Sequence, residues 1–386
     1  GTIMYPNEPI LTVVAPLIDA QIVETAILAE VNHQSLVATK TARIVKAAEG
    51  KAVSDFGARR AHNMDAAVYG ARASYIGGAA GTATVLAGQM FGIPVSGTMA
   101  HSWVMYYKDE YEAFRHYAEN YPDNTVLLVD TYDTIKSGIP NAIRVAGEVL
   151  DPMGKRLKGI RIDSGDLAYQ SIKVRKMLDD AGLTDCKIIV SNSLDEHTIS
   201  SLNMQKARID GYGVGERLIT GASSDYSEDS ISLLGAVYKI AAVEENGGFA
   251  PRIKVSGSVE KITNPGLKKV YRVYDQNGKA KADLIAKADE TIDMSQEFRF
   301  VDPDMPWRNL KFAHCTVRPL QEKIFENGKL VYKLPTLNEI RAYVKKQLDE
   351  EIWEEEQRFV NPHKHYMDMT PDYYDMKMSL LNNSRV

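Results

Sequence analysis

The segment Lys158–Ala168, KGIRIDSGDLA, decides the fold. Ile160 and Ile162 alternate with Arg161 and Asp163, and residues two apart on a strand share a face. Asp163 is followed by Ser164, Gly165 and Asp166, residues that end a strand and open a helix, and the helical pattern 166–181 closes at Gly182. Upstream, NTVLLVDTYD (124–133) has the same form: an apolar strand ending in acids, then the helical IPNAIRVAGEVL (139–150). Downstream, CKIIVSNSLD (186–195) leads into the helical DEHTISSLNM (195–204), and IDGYGVGERL (209–218) follows.

Further toward the start, KAVSDFGARR (51–60) reads as a strand before the helix MDAAVYGARASYI (64–76), and IPVSGTMAH (93–101) as a strand before KDEYEAFRHYAENY (108–121). Several of these strands begin roughly 20 to 35 residues apart, close to the length of a βα unit. Alternation of this kind predicts a parallel sheet, closed or open. Residues 19–48 read as one long helix or two, after the strand-and-turn material of residues 1–17. LLGAVYKIAAVEE (233–245) reads as a further strand, and there the rhythm stops. Asn-Gly turns then mark antiparallel hairpins, followed by a charged helix over 337–359. The expected division is a barrel domain over 50–245 and a smaller second domain from 1–49 with 246–386.

Composition excludes several classes. The 386 residues are 44% hydrophobic with a formal net charge of −5, which gives no electrostatic case for nucleic acid or an anionic membrane. No apolar run reaches the roughly 18 residues of a membrane span. Cys186 and Cys315 are too few for a disulfide framework and suggest a reducing, cytoplasmic compartment.

The predicted strands share polar C-terminal ends: Asp55 and Arg59; Thr98 and His101; Asp130 and Asp133; Arg161, Asp163 and Ser164; Ser191, Asn192 and Ser193; Gly211, Gly213 and Gly215. In a parallel barrel these ends converge on one rim, where active sites lie. Asp130 closes a buried strand, where a carboxylate needs a partner or a ligand; Asp133 and Thr131 could be helix caps. Ser164 and Gly165 at a helix start, or the alternating glycines, could hold phosphate on backbone amides, or be a plain cap and a turn. Phe56 could stack on a flat ring while Arg59 or Arg60 meets an anion, or all three could be a core ring beside surface charge. His101 has no metal partner at ligand spacing, and no G-x-S-x-G elbow occurs, so acid/base or nucleophilic chemistry remains for it.

Taken together, DFGARRAH, GTATVLAGQMFGIPVSGTMAHSW, LLVDTYD, GIRIDSGDLA, IIVSNSLDE, DGYGVGERL, LGAVYKI and ITNPGLKKVYRVYD resemble the nicotinate phosphoribosyltransferases, type II phosphoribosyltransferases, in order and across nearly the whole chain. The resemblance implies an irregular parallel α/β barrel with a second, smaller α/β domain formed from both chain ends. It implies a ligase-type, ATP-hydrolysing enzyme of NAD salvage. Such an enzyme joins nicotinate to phosphoribosyl pyrophosphate, giving nicotinate mononucleotide and pyrophosphate, through a histidine phosphorylated by ATP. By that match His101 is the phosphorylated residue and Asp130 and Asp163 are catalytic and the ligands of Mg²⁺. Phe56, Arg59, Thr98 and Arg161 bind nicotinate. Ser164, Gly165, Asn192, Gly213 and Gly215 hold the phosphoribosyl group and its phosphate. One ring nitrogen of His101 is expected to be held by an acid, Asp130, leaving the other to attack. Ala83, where nicotinamide-using relatives carry Asp, favours the acid substrate. A homodimer with a shared site is expected.

Two features depart from the family pattern. The initial segment that reaches into the neighbouring subunit's site is expected to be missing here, and Glu216 stands where a small hydroxyl residue is usual and is expected to point away from the phosphate. They motivate a second reading, a non-catalytic relative that binds nucleotide or ribose phosphate for regulation.

Overall fold

The computed structural model describes residues 1–222, 234–257, 262–294 and 297–384. The chain forms two compact units, one of Glu30–Gly235 and one of Gly1–Ala29 with Ala236–Val386. The sequence reading placed these boundaries at 50 and 246. The N-terminal helices are two, α1 (Leu17–Ile22) and α2 (Glu24–Ala47), and α2 buries Leu36, Val37, Thr41 and Ile44, all residues of the Glu30–Gly235 unit.

The Glu30–Gly235 unit carries a six-stranded parallel sheet: β1 (Ala52–Asp55), β2 (Gly81–Thr82), β3 (Val126–Leu128), β4 (Gly159–Ile162), β5 (Lys187–Ser191) and β6 (Gly211–Val214). The order is β2-β1-β6-β5-β4-β3, and the strands are interleaved with helices. These are α3 (Met64–Ile76), α4 (Val85–Phe91), α5 (His101–Tyr106), α6 (Glu110–Asn120), α7 (Ile139–Val145), α8 (Leu167–Asp180), α9 (Glu196–Met204) and α10 (Glu216–Thr220). The sheet is the irregular α/β barrel of the sequence reading, with no pairing between β2 and β3 among the described residues. Ile160, Ile162, Ile188 and Val190, which the β4–β5 register puts on one face, are fully buried. Each such side chain contributes about 1.5–3 kcal/mol. The polar loop residues include conventional caps: Asn63, Asp109, Asp166 and Asp195 each accept a backbone N–H in the first turn of the following helix, worth about 1 kcal/mol apiece. Asp133 caps as the sequence allowed, accepting from Ile135 N and Lys136 N.

The strand expected over 93–101 shrinks to a single bridge between Val95 and Thr82. Pro94 lacks a donor, and among the described residues no backbone hydrogen bond joins residues 97–100 to the sheet.

The other unit carries a six-stranded mixed sheet in the order β12-β11-β16-β10-β9-β13. A hairpin, β7 (Ala242–Glu245) with β8 (Gly248–Pro251), turns at Asn246 and Gly247, both at positive φ. The strand expected over 233–245 is confined to β7; residue 233 lies outside the described residues. The sheet strands are β9 (Lys268–Tyr274), β10 (Ala280–Lys287), β11 (Phe298–Val301), β12 (Asn309–Phe312) and β13 (Thr316–Pro319), with β14 (Phe325–Glu326) and β15 (Lys329–Leu330) as a separate hairpin and β16 (Tyr366–Met369) returning to the sheet centre. The charged helix ends early, α11 covering Leu337–Lys346, and α12 (Pro371–Asn383) closes the unit. Val273, Leu284, Phe300 and Phe312 form its core. The N-terminal segment is tied to this sheet, since the buried Arg272 donates to both oxygens of buried Asp283 and to the Ile3 carbonyl.

Asp368 in β16 is fully buried, and neither carboxyl oxygen has a hydrogen-bond partner. Burial, reinforced by Asp302, raises this carboxyl from 3.8 to about 7, while His365 and Arg308 pull the other way. Between those values the folded chain holds a proton that the unfolded chain has released, so stability falls as pH rises through the window. Asp368→Asn is expected to remove this slope and to be more stable than the parent at about pH 8, since each tenfold change in proton affinity between the folded and unfolded chain is worth about 1.4 kcal/mol. Urea melts at acid and alkaline pH measure it, and a variant with the parent's pH dependence would contradict it.

Candidate active site

Strand β4 places Arg161 and Asp163 on the face opposite Ile160 and Ile162. The Arg161 guanidinium donates from Nε to Ser191 Oγ (2.8 Å), from Nη1 to Thr98 Oγ1 (2.9 Å) and from Nη2 to Asp163 Oδ1 (2.9 Å). It lies over the Phe56 ring, 5.3 Å from the centroid. A guanidinium carries two N–H groups on each Nη, so one on each remains for a ligand.

Asp163 also accepts a short hydrogen bond from Ser191 Oγ. Burial opposes its charge, but Ser191, Arg161 and His101 outweigh it and hold the carboxyl below the usual range. Asp130 lies just beyond β3, its side chain 2% exposed. Its Oδ2 accepts from the Asp163 backbone N–H (2.9 Å) and from Ser164 Oγ (2.6 Å), while Oδ1 is buried without a hydrogen-bond partner. His101, first residue of α5, meets this pair edge-on: Nε2 is 3.6 Å from Asp163 Oδ2 and 3.8 Å from Asp130 Oδ1. Its Nδ1 lies 3.1 Å from Thr131 Oγ1. The ring nitrogen within hydrogen-bond distance of a neighbour is therefore met by Thr131, where the sequence reading had named Asp130. The loop carrying Thr98 also walls an open cleft of about 610 Å³ with Met99, Trp103 and Tyr106.

Phe56, Thr98, His101, Asp130, Arg161 and Asp163 thus converge. Ser164 and Gly165 follow directly, but the start of α8 is capped by Asp166, which puts a carboxylate where an anion would sit. Asn192 and Ser193 are exposed beyond β5, both at positive φ, a strain of about 1–3 kcal/mol each that clusters at functional sites. Gly213 lies within β6 and Gly215 just beyond it. Arg59 is exposed on the turn Ala58–Arg60, while Arg60 pairs loosely with Glu216 (3.7 Å). Glu216 is 63% exposed. Asp55 is structural: fully buried, it accepts from Thr82 Oγ1 and the Gly57 amide, and burial raises its carboxyl.

Two members went unassigned in the sequence. Ser191 joins Arg161 to Asp163, and its place at the end of β5 beside Asp163 was the available signal. Thr131 was read as a cap. A Mg²⁺ ion fits the free oxygens of Asp130 and Asp163, hard donors of the type it takes, and the orphaned Asp130 Oδ1 is the observation that favours it. Among the described residues no three His, Cys, Asp or Glu side chains cluster to hold a metal, so any such ion would rely on substrate oxygens as well.

Two solved structures share this architecture. The chain is similar to human nicotinic acid phosphoribosyltransferase (TM-score 0.81, 29% identity, covering 95% of this chain and 78% of that one). It is also similar to nicotinate-nucleotide pyrophosphorylase from Pyrococcus furiosus (TM-score 0.65, 28% identity, 85% and 73%). The fold is therefore that of phosphoribosyl-transferring barrels acting at a pyridine carboxylate. Residues 51–284 match the nicotinate phosphoribosyltransferase (NAPRTase) family model and residues 267–377 its C-terminal domain model. The nicotinate phosphoribosyltransferase of Bacillus subtilis is 48% identical over 99% of this chain and 76% of its own length, and that of Dictyostelium discoideum 36% identical over 97% and 71%. This chain belongs to the nicotinate phosphoribosyltransferase family.

Proposed function

We propose that the chain transfers phosphoribosyl from phosphoribosyl pyrophosphate to nicotinate in NAD salvage, with ATP hydrolysis coupled through a phosphorylated His101. The observation that carries the substrate is Arg161: a guanidinium fixed by three protein acceptors, with one N–H left on each Nη, beside an aromatic ring. That suits a flat anion such as nicotinate. Thr98 would contact it from the facing loop and Arg59 from the outer turn, and at Ala83 no carboxylate opposes it.

In the transfer the pyridine nitrogen bonds to C1 of the ribose as the C1–oxygen bond breaks and pyrophosphate leaves with the electron pair. Asp163, held ionised, and Asp130 face the positive charge that develops on the ribose. Asp130 and Asp163 would hold Mg²⁺, which when bound neutralises charge on the departing pyrophosphate. Ser164, Gly165, Asn192 and Gly215 supply the polar rim for the ribose and its phosphate. The carboxylates beside Nε2 of His101 favour a proton on that nitrogen. Nδ1 then keeps its lone pair, held by the Thr131 hydroxyl; once that hydroxyl releases it, the nitrogen bonds to the γ-phosphorus of ATP as the bond to the bridging oxygen breaks and ADP leaves with the electron pair.

A homodimer belongs to this reading, supported by the row of exposed apolar side chains at Ile10, Val14, Leu17, Ile18 and Ile22. The buried free cysteines, Cys186 and Cys315, suit a cytoplasmic setting. The test is product formation from phosphoribosyl pyrophosphate with nicotinate or nicotinamide, with and without ATP. Nicotinate mononucleotide, raised by ATP, is expected; preference for nicotinamide, or no mononucleotide at all, would overturn the assignment.

A further inference from the structure

Gly213 was grouped with Gly215 as a phosphate cradle, and its surroundings point elsewhere. In the registers of β6 with β1 and β5, Gly213 stands opposite Ser54 on one side and Ser191 on the other. It is an interior residue of a strand paired on both edges, so its backbone groups are committed to the ladder. Phe56 lies two residues beyond Ser54 on the same face, and its amide donates to Val214 O (2.8 Å). Its ring folds back over Gly213. A Cβ placed on Gly213 would strike Cε2 of that ring and come within 2.5 Å of Cδ2 and 3.2 Å of Cζ. The neighbouring glycines are not squeezed in this way: a Cβ on Gly211 would meet its nearest atom, Ala52 O, at 3.5 Å, and one on Gly215 would meet Phe56 O at 3.4 Å.

We infer that Gly213 is a positioning residue for the heteroaromatic carboxylate: by lacking a side chain it seats the Phe56 ring flat on the sheet, at the depth where the ring faces Arg161. This rests on the nicotinate reading above. A methyl at 213 has no path into the strand, so the ring must swing about its two χ angles. The aromatic surface then leaves the guanidinium, 5.3 Å away in the native arrangement, that fixes the substrate's carboxylate. The 5′-phosphate end, with Gly215, is untouched.

The experiment is a double-mutant cycle with Gly213→Ala, Phe56→Ala and the pair, and Gly211→Ala as a control. Gly213→Ala is expected to raise KM for nicotinate about tenfold, the worth of roughly one displaced contact, and KM for phosphoribosyl pyrophosphate less than about twofold. In the Phe56→Ala background the same substitution is expected to have no effect on KM for nicotinate. Gly211→Ala is expected to leave both constants unchanged. Nicotinate binding by calorimetry reports on variants too slow to assay. Thermal melts carry the geometry independently of activity. Gly213→Ala is expected to lower Tm by about 2–5 °C with Phe56 present and not in its absence. Should the single variant fail to fold, the double variant is expected to fold. A larger rise in KM for phosphoribosyl pyrophosphate, or equal effects in both backgrounds, would overturn the inference. If the parent made no nicotinate mononucleotide, the melts would still decide the Gly213–Phe56 coupling, and only the functional reading would fall.

Discussion

Arg161→Ala is expected to lower kcat/KM for nicotinate by about 10³-fold, and any activity with nicotinamide by a clearly smaller factor. The guanidinium is 14% exposed and is the common partner of Ser191, Thr98 and Asp163. Truncating one member of a desolvated, charge-assisted set costs about 2–5 kcal/mol, and each 1.4 kcal/mol is tenfold. The acid loses its counter-charge and the amide has none to lose, so the effect is selective. Arg161→Lys restores the charge without the fork and is expected to recover no more than about a tenfold. Steady-state kinetics with both pyridines measure this, and equal losses for the two would mean that the arginine serves the fold and not the substrate.

His101→Ala is expected to abolish incorporation of label from γ-labelled ATP and to uncouple ATP hydrolysis from transfer, with turnover falling about 10²-fold or more. The imidazole is 40% exposed, with Nε2 set against Asp130 and Asp163. The phosphate on the parent should be acid-labile and alkali-stable, as expected for a phosphohistidine. An unlabelled parent would end the coupled mechanism while leaving phosphoribosyl transfer itself standing. Removing the ring also leaves Thr131 without its neighbour, so Thr131→Val is the companion variant: it keeps the imidazole and withdraws only the hydroxyl at Nδ1.

The parallel sheet was legible because its strands are short apolar runs with period two, of which Gly159–Ile162 is the clearest. The convergence of Phe56, Asp130, Arg161 and Asp163 followed from the rule that parallel strand ends share a rim, whereas Thr98 joins them from the loop before α5 and His101 from the first residue of that helix. Less was legible where geometry depends on the residues just past a strand. Asp130 and Thr131 are adjacent in the chain, and no periodicity says which of them turns toward Nδ1 of His101. Nor could spacing show that Ser191, one small polar residue among several, would sit between Arg161 and Asp163. The strand over 93–101 was overread because Val95 is apolar and β-branched, yet Pro94 denies the backbone a donor. The helix over 337–359 was overread because its charge pattern continues past Lys346, while the backbone passes into a π turn and then a 3₁₀ turn.

Residues 97–100 carry Thr98 to Arg161 and deliver His101 to Thr131, but among the described residues no ladder bond joins them to the sheet. Their hold is in side chains. In energetic terms this loop is expected to open as a separate unit, exchanging its amides at free energies below those of the central strands β4–β6. A ligand carboxylate that takes the remaining N–H groups of Arg161 shares its guanidinium with the hydroxyl that pins the loop. Occupancy of the site and the seating of its wall thus meet on one guanidinium, and hydrogen exchange at residues 97–100 is expected to slow when an acid ligand is bound.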